Sequence, residues 1–188
     1  MPCWRFLVVQ GASTFGAKDK SMAYTAAVIT ASDKGAAGLR EDTSGPTLAQ
    51  GLREMGLEVI DQRIVADDET LLSEAMIDLC DTLHVDTIVT TGGTGLTPRD
   101  RTPEATQRVI DRLVPGIAEA LRSDGYRKTP RAVLSRGICG LRGRCLIINL
   151  PGSPKAVRDG LETLAPMLSH AIQMARGESL EHNVKSND

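Results

Sequence analysis

The chain has 188 residues, 41% apolar and only 3% aromatic, enough for one ordinary domain with a mainly aliphatic core. Its formal net charge of −2 excludes bulk binding to nucleic acid or to an anionic membrane, since both need a clear basic excess. No apolar run approaches the ~20 residues that cross a bilayer, and the scattered His84, His170 and His182 lack the short spacings of a zinc site.

Residues 1–22 carry no periodic pattern and are expected to form a flexible extension; their short apolar patch, Phe6 to Val9, is too brief for a signal-peptide core. Cys3, Cys80, Cys139 and Cys145 form no C-x-x-C pair and are expected to stay reduced in a cytoplasmic protein. Tyr24–Ala31, YTAAVITA, is a near-continuous apolar run, as in a strand covered on both faces. Ser44-Gly45-Pro46 opens a helix that Gly56 stops. Leu57–Val65 reads as a second strand, and Asp67-Asp68-Glu69 supplies an acidic start for a helix to about Leu83. Asp86–Thr91 is a third strand. Thr102-Pro103-Glu104 then gives an N-cap, a proline at the first helical position and an acid in the first turn. A helix is expected over Pro115–Arg127, a short extended piece over Arg131–Ser135 and a last strand over Arg144–Leu150. One final helix starts at Ser153-Pro154, with Val157, Leu161, Leu164, Leu168 and Ile172 on its core stripe. The stretch 178–188 is a polar tail.

Strands and helices that alternate in this way predict a single α/β domain over 23–177, in three α/β/α layers around a mostly parallel sheet. Ligands of such folds lie in the crevice at the carboxyl ends of the strands. Four junctions would share that edge. The first, ASDKGAAGLREDTSGP (31–46), holds Ser32, Asp33, Asp42, Ser44 and Gly45; the second is Ala66-Asp67-Asp68. The third is TTGGTGLTPRDRTPEAT (90–106), and the fourth is NLPGSP (149–154). In the third, Gly92, Gly93 and Gly95 permit a sharp turn and close approach to a ligand. Amide groups exposed in such a turn cradle phosphate oxygens, and the following helix N-terminus adds positive potential. Asp100 is then a candidate Mg²⁺ ligand, and Asp67 on the neighbouring junction a second, because magnesium takes one or two carboxylates beside phosphate oxygens and waters. The stretch is neither a Walker loop nor G-x-G-x-x-G. Each junction alone also reads as an ordinary turn or helix cap; their coincidence at one edge favours a site.

TTGGTGLTPRDRTPEAT, LSR at 134–136 and NLPGSPKAV at 149–157 together closely resemble the Mog/MoaB family of molybdenum-cofactor biosynthesis, which includes molybdopterin adenylyltransferases and the gephyrin G domain. The resemblance runs from about Tyr24 to Arg176 and implies a molybdopterin-binding-like fold. It further implies adenylylation of the molybdopterin terminal phosphate by Mg-ATP with release of pyrophosphate. The alternative is a MoaB-like protein that binds molybdopterin without this activity. Asp67, Asp100 and Ser135 match positions implicated in the family's catalysis, the two aspartates through Mg²⁺. Ala66 stands where the family has proline. The resemblance places Gly92, Gly93, Thr94 and Gly95 against nucleotide phosphates. Thr91, Ser32, Asp33, Asp42, Ser44 and Gly45 would lie near the ligands, and Asn149, Pro151, Gly152 and Ser153 would border the pterin or the nucleotide. Arg136 and Arg142 become candidate anion binders. A homotrimer that hands its product to a molybdate-insertion enzyme is also implied.

Overall fold

A computed structural model describes residues 23–178. The extension expected over 1–22, and the tail from residue 179 onward, lie outside them. In chain order the elements are β1 (Thr25–Ala31), α1 (Asp33–Ala36), α2 (Ser44–Glu54), β2 (Glu58–Val65), α3 (Glu69–Asp81), β3 (Thr87–Thr91) and α4 (Thr102–Val109). There follow β4 (Arg112–Leu113), α5 (Pro115–Lys128), a 3₁₀ turn (Pro130–Leu134), β5 (Cys139–Arg142), β6 (Cys145–Leu150), α6 (Pro154–Leu164) and α7 (Leu168–Arg176).

The six strands form one sheet in the order β2-β1-β3-β6-β5-β4. The first four are mutually parallel, and β5 and β4 add an antiparallel edge. The central strands are buried on both faces, and their alternation sorts side chains into two cores. Ala26 and Val28 of β1 point one way, into a core shared with Leu48 and Leu52 of α2, Leu161 of α6 and Ile172 of α7. Ala27 and Ile29 point the other way, toward Leu72 and Met76 of α3 and Val109 of α4. The three-layer α/β/α architecture with a mostly parallel sheet follows from that two-sided burial.

Two local expectations are corrected. Arg131–Ser135 is not extended: Pro130–Leu134 forms a 3₁₀ turn after α5. The last helix is two, because Pro166 cannot continue α6 and the chain restarts at Leu168. The short elements α1, β4 and β5 carry too few residues to show a period. Glu178, the first tail residue, is held by Arg176 and by the Tyr24 hydroxyl.

Register pairs Val65 with Ala31, Thr91 with Thr30 and Leu150 with Thr91, so β2, β1, β3 and β6 end along one edge. From β1 the chain moves outward to β2 and then crosses back to β3 on the other side of β1. The crevice of this switch point lies between the loops after β1 and β3.

Candidate active site

The β3–α4 loop is built so that glycine is required at its first two positions. Gly92 and Gly93 have φ of 96° and 62°, a region L side chains rarely enter. A Cβ on Gly92 would also lie 2.4 Å from the Ala31 carbonyl oxygen, and one on Gly93 2.3 Å from the Thr102 hydroxyl. The loop is tied down through its carbonyls. Gly93 O accepts from Thr102 N (3.1 Å), Thr94 O from Arg136 N (2.8 Å) and Gly95 O from Arg136 Nε (2.7 Å). No backbone–backbone hydrogen bond among the described residues uses the N–H of Gly93, Thr94 or Gly95. Carbonyls fixed, and the Gly93 and Thr94 amides left unengaged while that of Gly95 turns to Asp100, make an anion-binding concavity.

Two cavities meet at this loop. The larger, about 480 Å³, is lined by Gly92–Gly95, Asp100, Ser135, Asn149, Pro151, Gly152 and Ser153 among others, with apolar and small side chains of α5 and α6 on its walls. The smaller, about 230 Å³, is polar and is lined by Thr30, Ser32, Asp42, Ser44, Asp67 and Asp100. Gly92, Gly93, Asp100 and Gly152 belong to both. Asp100 therefore stands on the partition.

The carboxylates differ in charge state preference. Burial pushes Asp67 above the ordinary carboxylate range, and the negative charges of Asp33 and Asp100 add to that rise against the Asp33 amide and Arg99. Burial acts upward on Asp100 as well, but hydrogen bonds from Thr97 and Gly95 and the charge of Arg136 outweigh it and hold the group below the usual range. Thr97 N donates to Asp100 Oδ2 at 2.8 Å. Two carboxylates on one small polar cavity, one of them opposed by its neighbours' charge, suit a hard divalent cation with oxygen ligands.

Several expected residues sit in the site but already serve the protein. Asp42 Oδ1 accepts from Ser44 N, Ser44 Oγ and Gly45 N, each at 3.0 Å, and its Oδ2 accepts from Thr30 Oγ1 at 2.7 Å; it caps α2. The Asn149 side-chain amide donates to Thr90 and Thr106 and accepts from Ile138 N. Ser153 Oγ caps α6 by accepting from Ala156 N, and Ser135 Oγ accepts from Gly137 N at 3.3 Å. Others stand apart. Thr91 is fully buried and donates to Pro151 O, and Asp33 is not among the residues lining either cavity. Arg142 pairs with Asp81 at the C-terminal end of α3, away from the cavities, which removes it as an anion binder of this site. Arg136 braces the loop and pairs with Glu104. Sequence reasoning missed Arg122 and Arg131 on the large cavity and Arg40 on the small one; none sits in a motif, and only the folded loops bring them there.

Comparison with known proteins shows the family. Residues 27–170 match the family described as "Probable molybdopterin binding domain", and the chain belongs to that family. A curated molybdopterin adenylyltransferase from Helicobacter pylori is 39% identical over 161 residues, 85% of this chain and 92% of that protein. Two solved structures superpose closely. The molybdopterin biosynthesis enzyme MoaB from Thermus thermophilus has 46% identity and a TM-score of 0.78, covering 82% of this chain and 98% of its own. The molybdopterin biosynthesis Mog protein from Mycobacterium ulcerans has 44% identity and a TM-score of 0.78, covering 84% and 100%.

Proposed function

We propose that the protein is a molybdopterin adenylyltransferase that acts in molybdenum-cofactor biosynthesis with ATP and molybdopterin as substrates. The observation that carries this reading is the pair of cavities sharing Gly92, Gly93, Asp100 and Gly152. A transfer between two phosphate-bearing ligands needs two compartments whose phosphates meet at one wall, and here that wall is a glycine loop beside a carboxylate. An oxygen of the molybdopterin terminal phosphate attacks the α-phosphorus of ATP. The bond from that phosphorus to the bridging oxygen of the β-phosphate breaks, and pyrophosphate leaves with the electron pair. Such chemistry asks the protein mainly to position and to balance charge.

The Gly93 and Thr94 amides hold phosphate oxygens, with Gly92 and Gly95 shaping the turn, Ser135 hydrogen-bonds a phosphate from the large cavity, and the α6 N-terminus behind Ser153 adds positive potential. Pro151, Gly152 and Asn149 shape the wall where the ligands meet. Ser32 and Ser44 border the smaller compartment, which Asp42, held by the Gly45 amide, keeps in shape. Asp67 and Asp100 would hold Mg²⁺, which when bound neutralises charge on the transferring phosphoryl group. We place the enzyme in the cytoplasm; among the described residues no helix is long and apolar enough to cross a membrane. A homotrimer is proposed too, supported by the half-exposed Ile60 and Ile64 on the edge strand β2, a surface proteins seldom leave bare; a light-scattering mass of one chain would remove it. Delivery of the product to a molybdate-insertion enzyme completes the reading.

The test is pyrophosphate release from Mg-ATP, with and without molybdopterin. Release that needs the pterin is expected. No release with pterin binding intact would overturn the reading in favour of a MoaB-like binding protein.

A further inference from the structure

Three loops meet outside the two cavities through a side chain that touches neither. Asp33, at the start of α1, and Asp67, after β2, bond each other reciprocally. Asp67 N donates to Asp33 Oδ1 at 3.0 Å, and Asp33 N donates to Asp67 Oδ2 at 2.9 Å. Arg99, from the glycine loop, closes on the same carboxylate: its Nε donates to Asp33 Oδ2 at 3.0 Å and its Nη2 to both oxygens at 2.7 Å. Asp33 Oδ1 thus serves Asp67 and Arg99 together. The neighbouring Ser32 N donates to Val65 O, so the β1 and β2 loops are already joined beneath the clasp.

From this we infer that Asp33 is a positioning residue for Asp67, with Arg99 acting through Asp33, and that neither touches a substrate. The inference rests on the adenylyltransferase reading. Its physical basis is direct. Asp67 follows Ala66, whose own φ no ring restricts. The Asp33 clasp fixes both the backbone and one carboxylate oxygen of Asp67 from outside, leaving the other oxygen, Oδ1, on the side of Gly93, 3.1 Å from where a Cβ there would lie. An ion pair as exposed as Asp33–Arg99 adds little to stability. Its role is geometric: it locks the loop after β3, which carries Asp100, to the loop after β2, which carries Asp67.

The experiment compares the wild-type chain with Asp33→Ala, Asp33→Asn, Arg99→Gln and the Asp33→Ala/Arg99→Gln double variant. Steady-state turnover is followed by pyrophosphate release, and exchange of the Asp67 amide proton by NMR. Misplacing a catalytic group by an ångström costs about 10²-fold. Asp33→Ala is expected to lose turnover on that scale with the KM for ATP unchanged, and to speed Asp67 amide exchange. Asp33→Asn keeps a carbonyl acceptor for the Asp67 amide and is expected to fall between wild type and Asp33→Ala; it carries the test if Asp33→Ala does not fold. Arg99→Gln should lower turnover in the wild-type background and change nothing further in Asp33→Ala. Wild-type turnover in Asp33→Ala, a raised KM for ATP with kcat unchanged, or an additive effect of Arg99→Gln would each overturn the inference. If the wild-type chain itself releases no pyrophosphate, the adenylyltransferase reading fails first; unchanged Asp67 amide exchange in Asp33→Ala would still refute the clasp.

Discussion

At the scale of single residues, the site separates the groups that hold charge from the groups that hold shape. Asp100 is the clearest case. Arg136 fixes its backbone, donating from Nη2 to the Asp100 carbonyl at 2.6 Å and from Nε to Gly95 O, while Glu104 anchors the same guanidinium. The side chain accepts amide hydrogen bonds from Thr97 and Gly95. Asn at position 100 can still accept from these amides through its carbonyl, so Asp100→Asn removes a negative charge and little else. It is expected to keep the wild-type melting temperature and to lose roughly 10²-fold or more in turnover, the scale of removing one charge-stabilising group. Calorimetry and pyrophosphate release check the two halves; wild-type turnover would take Asp100 out of the chemistry. The same separation explains why Arg136 was misread as an anion binder. In sequence an Arg after a Ser beside a phosphate loop looks free, and only the fold shows it bound to two carbonyls of the β3–α4 loop.

At the scale of elements, each loop depends on how the next helix begins. The loop of 31–46 turns into α2 through Asp42, which takes the orphan amides of Ser44 and Gly45 and also the buried Thr30 hydroxyl. Burial by itself raises its carboxyl; the hydrogen bonds from Gly45, Thr30 and Ser44 outweigh that and hold it below the ordinary value. A folded-state value below the unfolded one means that this contribution is complete above about pH 4, the unfolded aspartate value, and is lost as pH falls through the lower folded-state value. Asp42→Ala is expected to cost about 1–2 kcal/mol at neutral pH, the range of a lost helix cap. The deficit should narrow in urea titrations carried below about pH 4, and a deficit independent of pH would show that the charge is not what matters. Such capping was partly legible beforehand. The strand and helix pattern, the shared sheet edge, and the loops holding Asp67 and Asp100 follow from long periodic runs and glycine spacing. What was illegible needs three dimensions. Pro166 breaks a stripe that reads as continuous, α1 and β4 are too short for periodicity, and Asp33 looks like a ligand until Arg99 is seen to occupy it.

At the scale of the whole molecule, the sheet carries a second charge cluster at the end away from the cavities. The carboxyl ends of the strands carry both cavities, while the other end holds Asp86, just before β3. Asp86 is only 8% exposed. It accepts from Thr25 N at 2.8 Å, Thr25 Oγ1 at 3.0 Å and Arg176 Nη1 at 2.5 Å. Arg176 ends α7, stacks 5.6 Å from the centroid of the Tyr24 ring and pairs with Glu178. One guanidinium thus latches the last helix to the first strand and neutralises a buried carboxylate. Removing it leaves that carboxylate with hydroxyl and amide donors but no countercharge. A buried pair broken from one side costs several kcal/mol, discounted here because Arg176 is about one-third exposed. Arg176→Ala should therefore cost about 1–2 kcal/mol, read as a lower denaturation midpoint, with turnover at low temperature unchanged. Against Asp100→Asn the pattern is reversed: stability falls and activity stays. Should Arg176→Ala lower turnover well below its melting point, the two ends of the sheet would be coupled, and the site could not be treated as an assembly of loops on a rigid frame.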